Sequence, residues 1–154
     1  MRWIGLLTWL GLCFAVAGVS GRWTASEVAG WYSTLVKPSI SPPNWVFGPV
    51  WTLLYTLMAV AAWQVWLLPA STLRTWGLAL FLAQLALNFA WTFLFFRQHA
   101  IGGALAELLV LWTAIGATTI VFDWLSPSAA WLLAPYLAWV TFAAVLNTAY
   151  WRLN

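Results

Sequence analysis

Few side chains in this sequence can bind or react, and helical arithmetic gathers most of them on shared faces. At about 100° per residue, Gln84, Asn88, Trp91 and Thr92 fall in one sector about 100° wide. Tyr136, Trp139, Ala143, Asn147 and Tyr150 share a sector about 80° wide by the same arithmetic. Trp51 and Tyr55 stand one turn apart, with Met58 a turn further on. If these faces converge, they enclose an aromatic-walled cavity with Gln84, Asn88 and Asn147 as sparse polar contacts. The chemistry of such a cavity is recognition. Stacking and area burial hold a flat hydrophobic ligand, and a few polar groups orient it.

Other chemistries lack their parts. One cysteine (Cys13) and one histidine (His99) supply neither a disulfide nor a four-ligand zinc site, so no metal site is expected. His99, in a tight connector, is a poor base for a Ser-His-Asp or Cys-His arrangement, and no Walker loop or G-x-G-x-x-G occurs. The basic residues are scattered singly, which argues against nucleic acid despite a net charge of +3. Glu107 is the one carboxylate well inside an apolar run, about 10 Å from its start. An acid at that depth is a functional candidate, although it also lies within reach of the headgroups. With no second charge to pair with, it does not make an ion-coupled pump.

The elements that position these faces are membrane spans. Of 154 residues 64% are hydrophobic and 6% charged, where soluble domains carry about 25% charged residues. A soluble enzyme is excluded. Five mainly apolar runs reach the length a span needs: residues 3–20, 45–68, 73–96, 100–122 and 129–151. The expected fold is a single-domain, all-α membrane protein, a five-helix bundle with one long loop between helices one and two. Nothing alternates with period two, so a transmembrane barrel is excluded. Short connectors at 69–72, 97–99 and 123–128 make helices two to five antiparallel neighbours. The first run also fits a cleavable signal peptide, with Arg2 ahead of it and Ala15-Val16-Ala17 near its end; Gly11, Ala15 and Gly18 favour a retained packing helix. Arg22, Lys37, Arg97 and Arg152 against Arg2 and Arg74 place the C-terminus and first loop in the cytoplasm.

Two further surfaces stand out. Ala79, Ala83, Ala86 and Ala90 lie nearly opposite the polar face of the third helix, either as a homodimer face or as packing within one bundle. The long loop, 21–44, carries Trp23, Trp31, Tyr32, Lys37, Ile40, Pro38, Pro42 and Pro43. It is too apolar for disorder and is expected to fold over one end of the bundle as a lid. Among 15 tryptophans, Trp3, Trp23, Trp45, Trp66, Trp76, Trp124, Trp131 and Trp151 sit near span ends, where interface anchoring explains them. Trp51, Trp91 and Trp139 lie deeper.

The stretch Trp31-Tyr32-x-x-Leu35-x-Lys37-Pro38-x-x-x-Pro42-Pro43-x-Trp45-Val46-Phe47-Gly48-Pro49-Val50-Trp51 resembles the signature of the TspO/MBR family, the tryptophan-rich sensory and translocator proteins. Gln84-Leu-Ala-Leu-Asn88-Phe-Ala-Trp91 with Phe95-Phe96, and Pro135-Tyr136-Leu-Ala-Trp139 through Leu146-Asn147 to Trp151-Arg152, match it in order. The resemblance implies a five-helix bundle, often dimeric, in a bacterial inner or outer membrane. It implies binding of porphyrins, protoporphyrin or haem, and of synthetic aromatic ligands beneath the first loop. Carried over by position, the pocket residues are Tyr32, Trp51, Tyr55, Asn88, Trp91, Trp139 and Ala143, to which the face analysis adds Asn147. Trp31, Lys37, Pro38, Pro42, Pro43 and Trp45 fall in the lid. No cofactor is implied beyond the porphyrin itself.

Two alternatives accompany the receptor reading. One is light- and oxygen-dependent porphyrin breakdown at Trp51 and Trp139, and the other is a transporter of lipophiles. Sterol recognition is weakly implied. Thr148 stands where the family's pattern has Tyr, although Leu146-x-x-x-Tyr150-x-Arg152 satisfies the loose formula. Ile40 also replaces a tryptophan common in the family's loop, which weakens loop-dependent porphyrin chemistry.

Overall fold

A computed structural model describes residues 2–154. Helix α1 spans Arg2–Val28, a short α2 spans Trp31–Thr34, and a 3-10 turn at Asn44–Val46 leads into α3, Phe47–Trp66. Helix α4 spans Thr72–Thr92 and runs on as a π-helical turn, Phe93–Arg97. Helices α5, Ile101–Leu125, and α6, Pro127–Leu153, complete the chain. Five of these helices are long and apolar enough to cross a membrane. A five-helix all-α bundle is thus the observed architecture.

Local chemistry accounts for the boundaries. Ser71 Oγ accepts from the Arg74 N–H at 3.1 Å and caps α4. Pro127 occupies the first turn of α6, where its missing N–H costs nothing. Pro135 inside α6 cannot donate to the preceding turn, and neighbouring helices hold the segment in place. The core of α3 is built from Met58, Ala59, Ala61, Ala62 and Val65, all fully buried. Small side chains there let α1 and α6 approach closely, the packing that substitutes for hydrophobic drive within a bilayer. Gly77 of α4 does the same against Val121, Phe122 and Leu125 of α5.

Two boundaries and one packing relation differ from the sequence expectation. Residues 21–28 belong to α1, so the lid is the shorter segment 29–43. Gly21 and Arg22 interrupt the hydropathy there without interrupting helical hydrogen bonding, because a polar turn leaving the bilayer can stay helical in water. The connector expected at 123–128 shrinks to Ser126 for the same reason. Helices two and three, here α3 and α4, are joined tightly yet pack sparingly. Helix α3 lies mainly against α1 and α6, while α4 lies mainly against α5. A cavity occupies the space between them.

Candidate ligand cavity

That cavity has a volume of about 550 Å³ and is bounded by α1, α3, α4, α6 and the lid. Tyr32, Trp51, Tyr55, Asn88, Trp91, Trp139, Ala143 and Asn147 all line it. Its aromatic walls are locked by ring contacts. Trp51 lies 5.6 Å from Tyr55 and 6.3 Å from Tyr136, centroid to centroid, and Phe47 meets Trp139 edge-on at 6.0 Å. Trp91 stacks on Phe95 at 5.4 Å.

The polar groups are held just as firmly. Tyr55 donates its hydroxyl to Asn88 Oδ1 at 2.6 Å, and Asn88 Nδ2 donates to the Tyr136 hydroxyl at 2.9 Å. Tyr136 in turn donates to Gln84 Oε1 at 2.8 Å. Gln84 shares the face of Asn88 but sits behind it, off the cavity surface. A second set joins α4, α5 and α6, with Trp91 Nε1 donating to Asn147 Oδ1 at 3.1 Å and Asn147 Nδ2 to the Ile101 carbonyl at 2.9 Å. Side chains so restrained present a preformed surface, which lowers the ordering cost of binding.

The lid closes the chamber through Tyr32, whose hydroxyl lies 2.7 Å from that of Tyr150, and Ser41 Oγ lies 3.1 Å from the same Tyr150 oxygen. Burial pushes the Tyr32 phenol above its ordinary range, and the Tyr150 hydroxyl adds to this. The C-terminus fastens the lid's middle. Val36 N–H donates to Asn154 Oδ1 at 2.8 Å, and Asn154 Nδ2 donates to the Val36 carbonyl at 3.2 Å. At the lid's start, Trp31 stacks on His99 with centroids 4.1 Å apart and planes 14° from parallel, while His99 Nε2 lies 3.1 Å from Glu27 Oε2. His99 has a φ of 55°, and the π-turn before it brings both Phe95 and Phe96 inward beneath Tyr32.

The TspO/MBR family profile matches residues 9–152. The chain belongs to the TspO/MBR family. It is 44% identical to the human translocator protein over 138 residues, 88% of this chain and 82% of the relative. It is 41% identical over 154 residues to a tryptophan-rich sensory protein of Cereibacter sphaeroides, covering 100% of this chain and 94% of the relative. Protein CrtK of Rhodobacter capsulatus is 39% identical over 153 residues, 96% and 94% of the two chains. As a TspO/MBR member with five apolar helices, the chain is an integral membrane protein.

Not every residue singled out in the sequence reaches this TspO/MBR cavity. Trp31, Lys37, Pro38, Pro42 and Pro43 form the lid without lining the chamber. Pro38 is a buried residue of the lid itself, and Lys37 Nζ sits 5.4 Å above the Tyr32 ring. Trp45, expected in the lid, is 74% exposed and points away from the bundle, as an interface anchor does. Trp3, Trp76, Trp124, Trp131 and Trp151 are likewise exposed. Trp23 and Trp66 are not simple anchors. Trp23 packs on Phe89 and Phe93, and the Trp66 ring lies against Gly5. Leu146 and Tyr150 of the loose sterol pattern are buried among lid residues, which turns that pattern inward, away from lipid.

Sequence reasoning missed one whole wall. Ala17, Ser20, Gly21, Thr24, Ala25 and Val28 of α1 line the cavity, at spacings of three and four residues that mark a helical face. Ending the first span at residue 20 hid that stripe. Phe47 and Phe142 were also missed, although Phe47 stands one helical turn before Trp51 and Phe142 one turn after Trp139.

Proposed function

We propose that this protein is a membrane receptor for porphyrin-like ligands, flat aromatic molecules held in the lidded cavity. One observation carries the reading. Residues from distant parts of the chain meet around one chamber whose walls are aromatic and whose few polar groups are held by hydrogen bonds. The volume lies within the range of about 300–1,000 Å³ typical of pockets for drug-sized ligands. Among the lining residues none is His, Cys or Met, and the hydroxyls of Tyr32, Tyr55 and Tyr150 are engaged with one another or with Asn88, so a porphyrin here is gripped by its ring faces rather than through an axial iron ligand. This favours metal-free protoporphyrin over haem.

Titration of the purified protein with protoporphyrin IX in darkness tests the reading. The expected result is saturable quenching of tryptophan emission, weakened in Trp139→Ala; the absence of saturation overturns the assignment. Repeating the titration in light with dioxygen separates receptor from enzyme, because Trp51 and Trp139 both line the cavity and would both face the excited ring. Porphyrin loss that requires the protein and disappears in Trp51→Phe and Trp139→Phe would convert the receptor into a photochemical enzyme.

Two further features follow from the same geometry. Asn154 bonds Val36, and His99 bonds Glu27, so the lid, the α4–α5 turn and the C-terminus share one end of the bundle. Trp63 Nε1 donates to the Arg2 carbonyl and Arg74 to the Trp66 carbonyl, which places Arg2 and Arg74 at the other end. Basic residues thus sort four to two, supporting a cytoplasmic lid. Ala79, Ala83 and Ala86 are exposed on α4, which leaves the close-packing face free for a second copy of the chain.

A further inference from the structure

Gln84 touches no ligand placed in the cavity, yet it ends the hydrogen-bond chain that begins on the cavity wall. Its side chain is 1% exposed, its Oε1 accepts from Tyr136, and its Nε2 is buried with no partner among the described residues. Packing alone does not explain a half-satisfied amide in an apolar core, since methionine would fill similar volume without stranding an N–H.

The chain has a direction, because Gln84 presents its oxygen and not its nitrogen to Tyr136. A phenol carries one proton, and Gln84 Oε1 takes that of Tyr136. The Tyr136 oxygen is left only to accept, so the nitrogen of the Asn88 carboxamide must face it. The Asn88 oxygen therefore faces Tyr55, whose hydroxyl must donate. Tyr55 spends its proton inside the wall, and the second Asn88 N–H makes no bond within the described protein. Without an acceptor at position 84, the Tyr136 proton is free to turn to Asn88 Oδ1, and both carboxamide orientations become available.

We propose that Gln84 is a positioning residue which, through Tyr136, holds the Asn88 carboxamide in one orientation and so makes an Asn88 N–H the donor offered to ligand. The ligands selected are flat ring systems bearing a hydrogen-bond acceptor, a carboxylate or carbonyl, level with Asn88. The selection rests on the cavity being a ligand site; the orientation does not.

The test uses the full chain in lipid nanodiscs with 15N-labelled asparagine. In the ligand-free protein, Gln84→Met shifts or splits the side-chain amide resonance of Asn88, while Gln84→Glu, which keeps the accepting oxygen, preserves it. An unmoved resonance in Gln84→Met, or a Gln84→Glu spectrum like that of Gln84→Met, overturns the proposal. Gln84→Leu, which likewise lacks an acceptor, is read in the same way should Gln84→Met fail to fold. In the liganded protein, protoporphyrin IX is compared with etioporphyrin, which has the same ring and only alkyl substituents. Gln84→Met is expected to reduce the preference for protoporphyrin about tenfold, and equal losses for both porphyrins overturn the selection. If neither porphyrin binds the wild-type protein, the receptor reading falls, and the ligand-free resonance still decides the positioning role.

Discussion

Asn147 ties three helices together with one carboxamide, accepting from Trp91 of α4 and donating to the Ile101 carbonyl at the start of α5. Hydrogen bonds between membrane helices are individually modest, about 0.6 kcal/mol on average. Removing one partner is costlier, because the indole N–H and the carbonyl are then stranded in an apolar setting. Asn147→Leu is therefore expected to destabilise the bundle by about 1–3 kcal/mol, read as a lower thermal midpoint in detergent. Trp139 works differently. It lines the cavity and leans on Phe47 and Phe142 at 6.0 and 5.4 Å. Trp139→Ala should leave folding largely intact and weaken protoporphyrin binding about 10- to 100-fold, the amount expected from losing a large apolar contact. A stability loss without an affinity loss would make Trp139 a packing residue only.

At the scale of elements, the lid is held at three places: Trp31 on His99, Tyr32 and Ser41 on Tyr150, and Val36 on Asn154. Trp31→Ala removes the stack and an edge contact to Phe95. Losing about 1 kcal/mol there raises the open population about fivefold, and hydrogen exchange of the Val36 N–H, bonded to Asn154 in the closed lid, should accelerate by that factor. The Tyr32 fastening carries a pH dependence. Its phenol is raised by burial and by Tyr150, so the neutral form stabilises the closed lid. That contribution is complete below the ordinary tyrosine value of about 10 and is lost as pH rises through the higher folded value. Porphyrin dissociation should therefore quicken only at strongly alkaline pH, and Tyr32→Phe should flatten the dependence while raising the rate at neutral pH. The lid's Pro-rich sequence made a folded loop legible. Its true start at residue 29 was not, since hydropathy reports where a helix leaves lipid, and helical hydrogen bonding in α1 continues past that point.

For the whole molecule, the exposed alanine face of α4 is expected to hold two copies together. Replacing Ala83 and Ala86 together with leucine should halve the particle mass in mild detergent with porphyrin affinity unchanged; an undiminished mass would place the contact elsewhere. What the sequence alone determined is the set of helices and the face each functional residue occupies, because hydropathy length and a 3.6-residue period are local properties of the chain. It also carried the family, since prolines, aromatics and asparagines at fixed offsets survive without knowledge of the fold. Tertiary structure decided which faces meet. Short connectors suggested α3 beside α4, yet the alanine-rich core of α3 packs on α1 and α6 and leaves a chamber between α3 and α4. Only that arrangement makes α1 a wall, puts Gln84 behind Asn88, and turns Leu146 and Tyr150 toward the lid. The reason is physical. A residue's face follows from its neighbours in sequence, whereas its partner follows from how closely whole helices can pack.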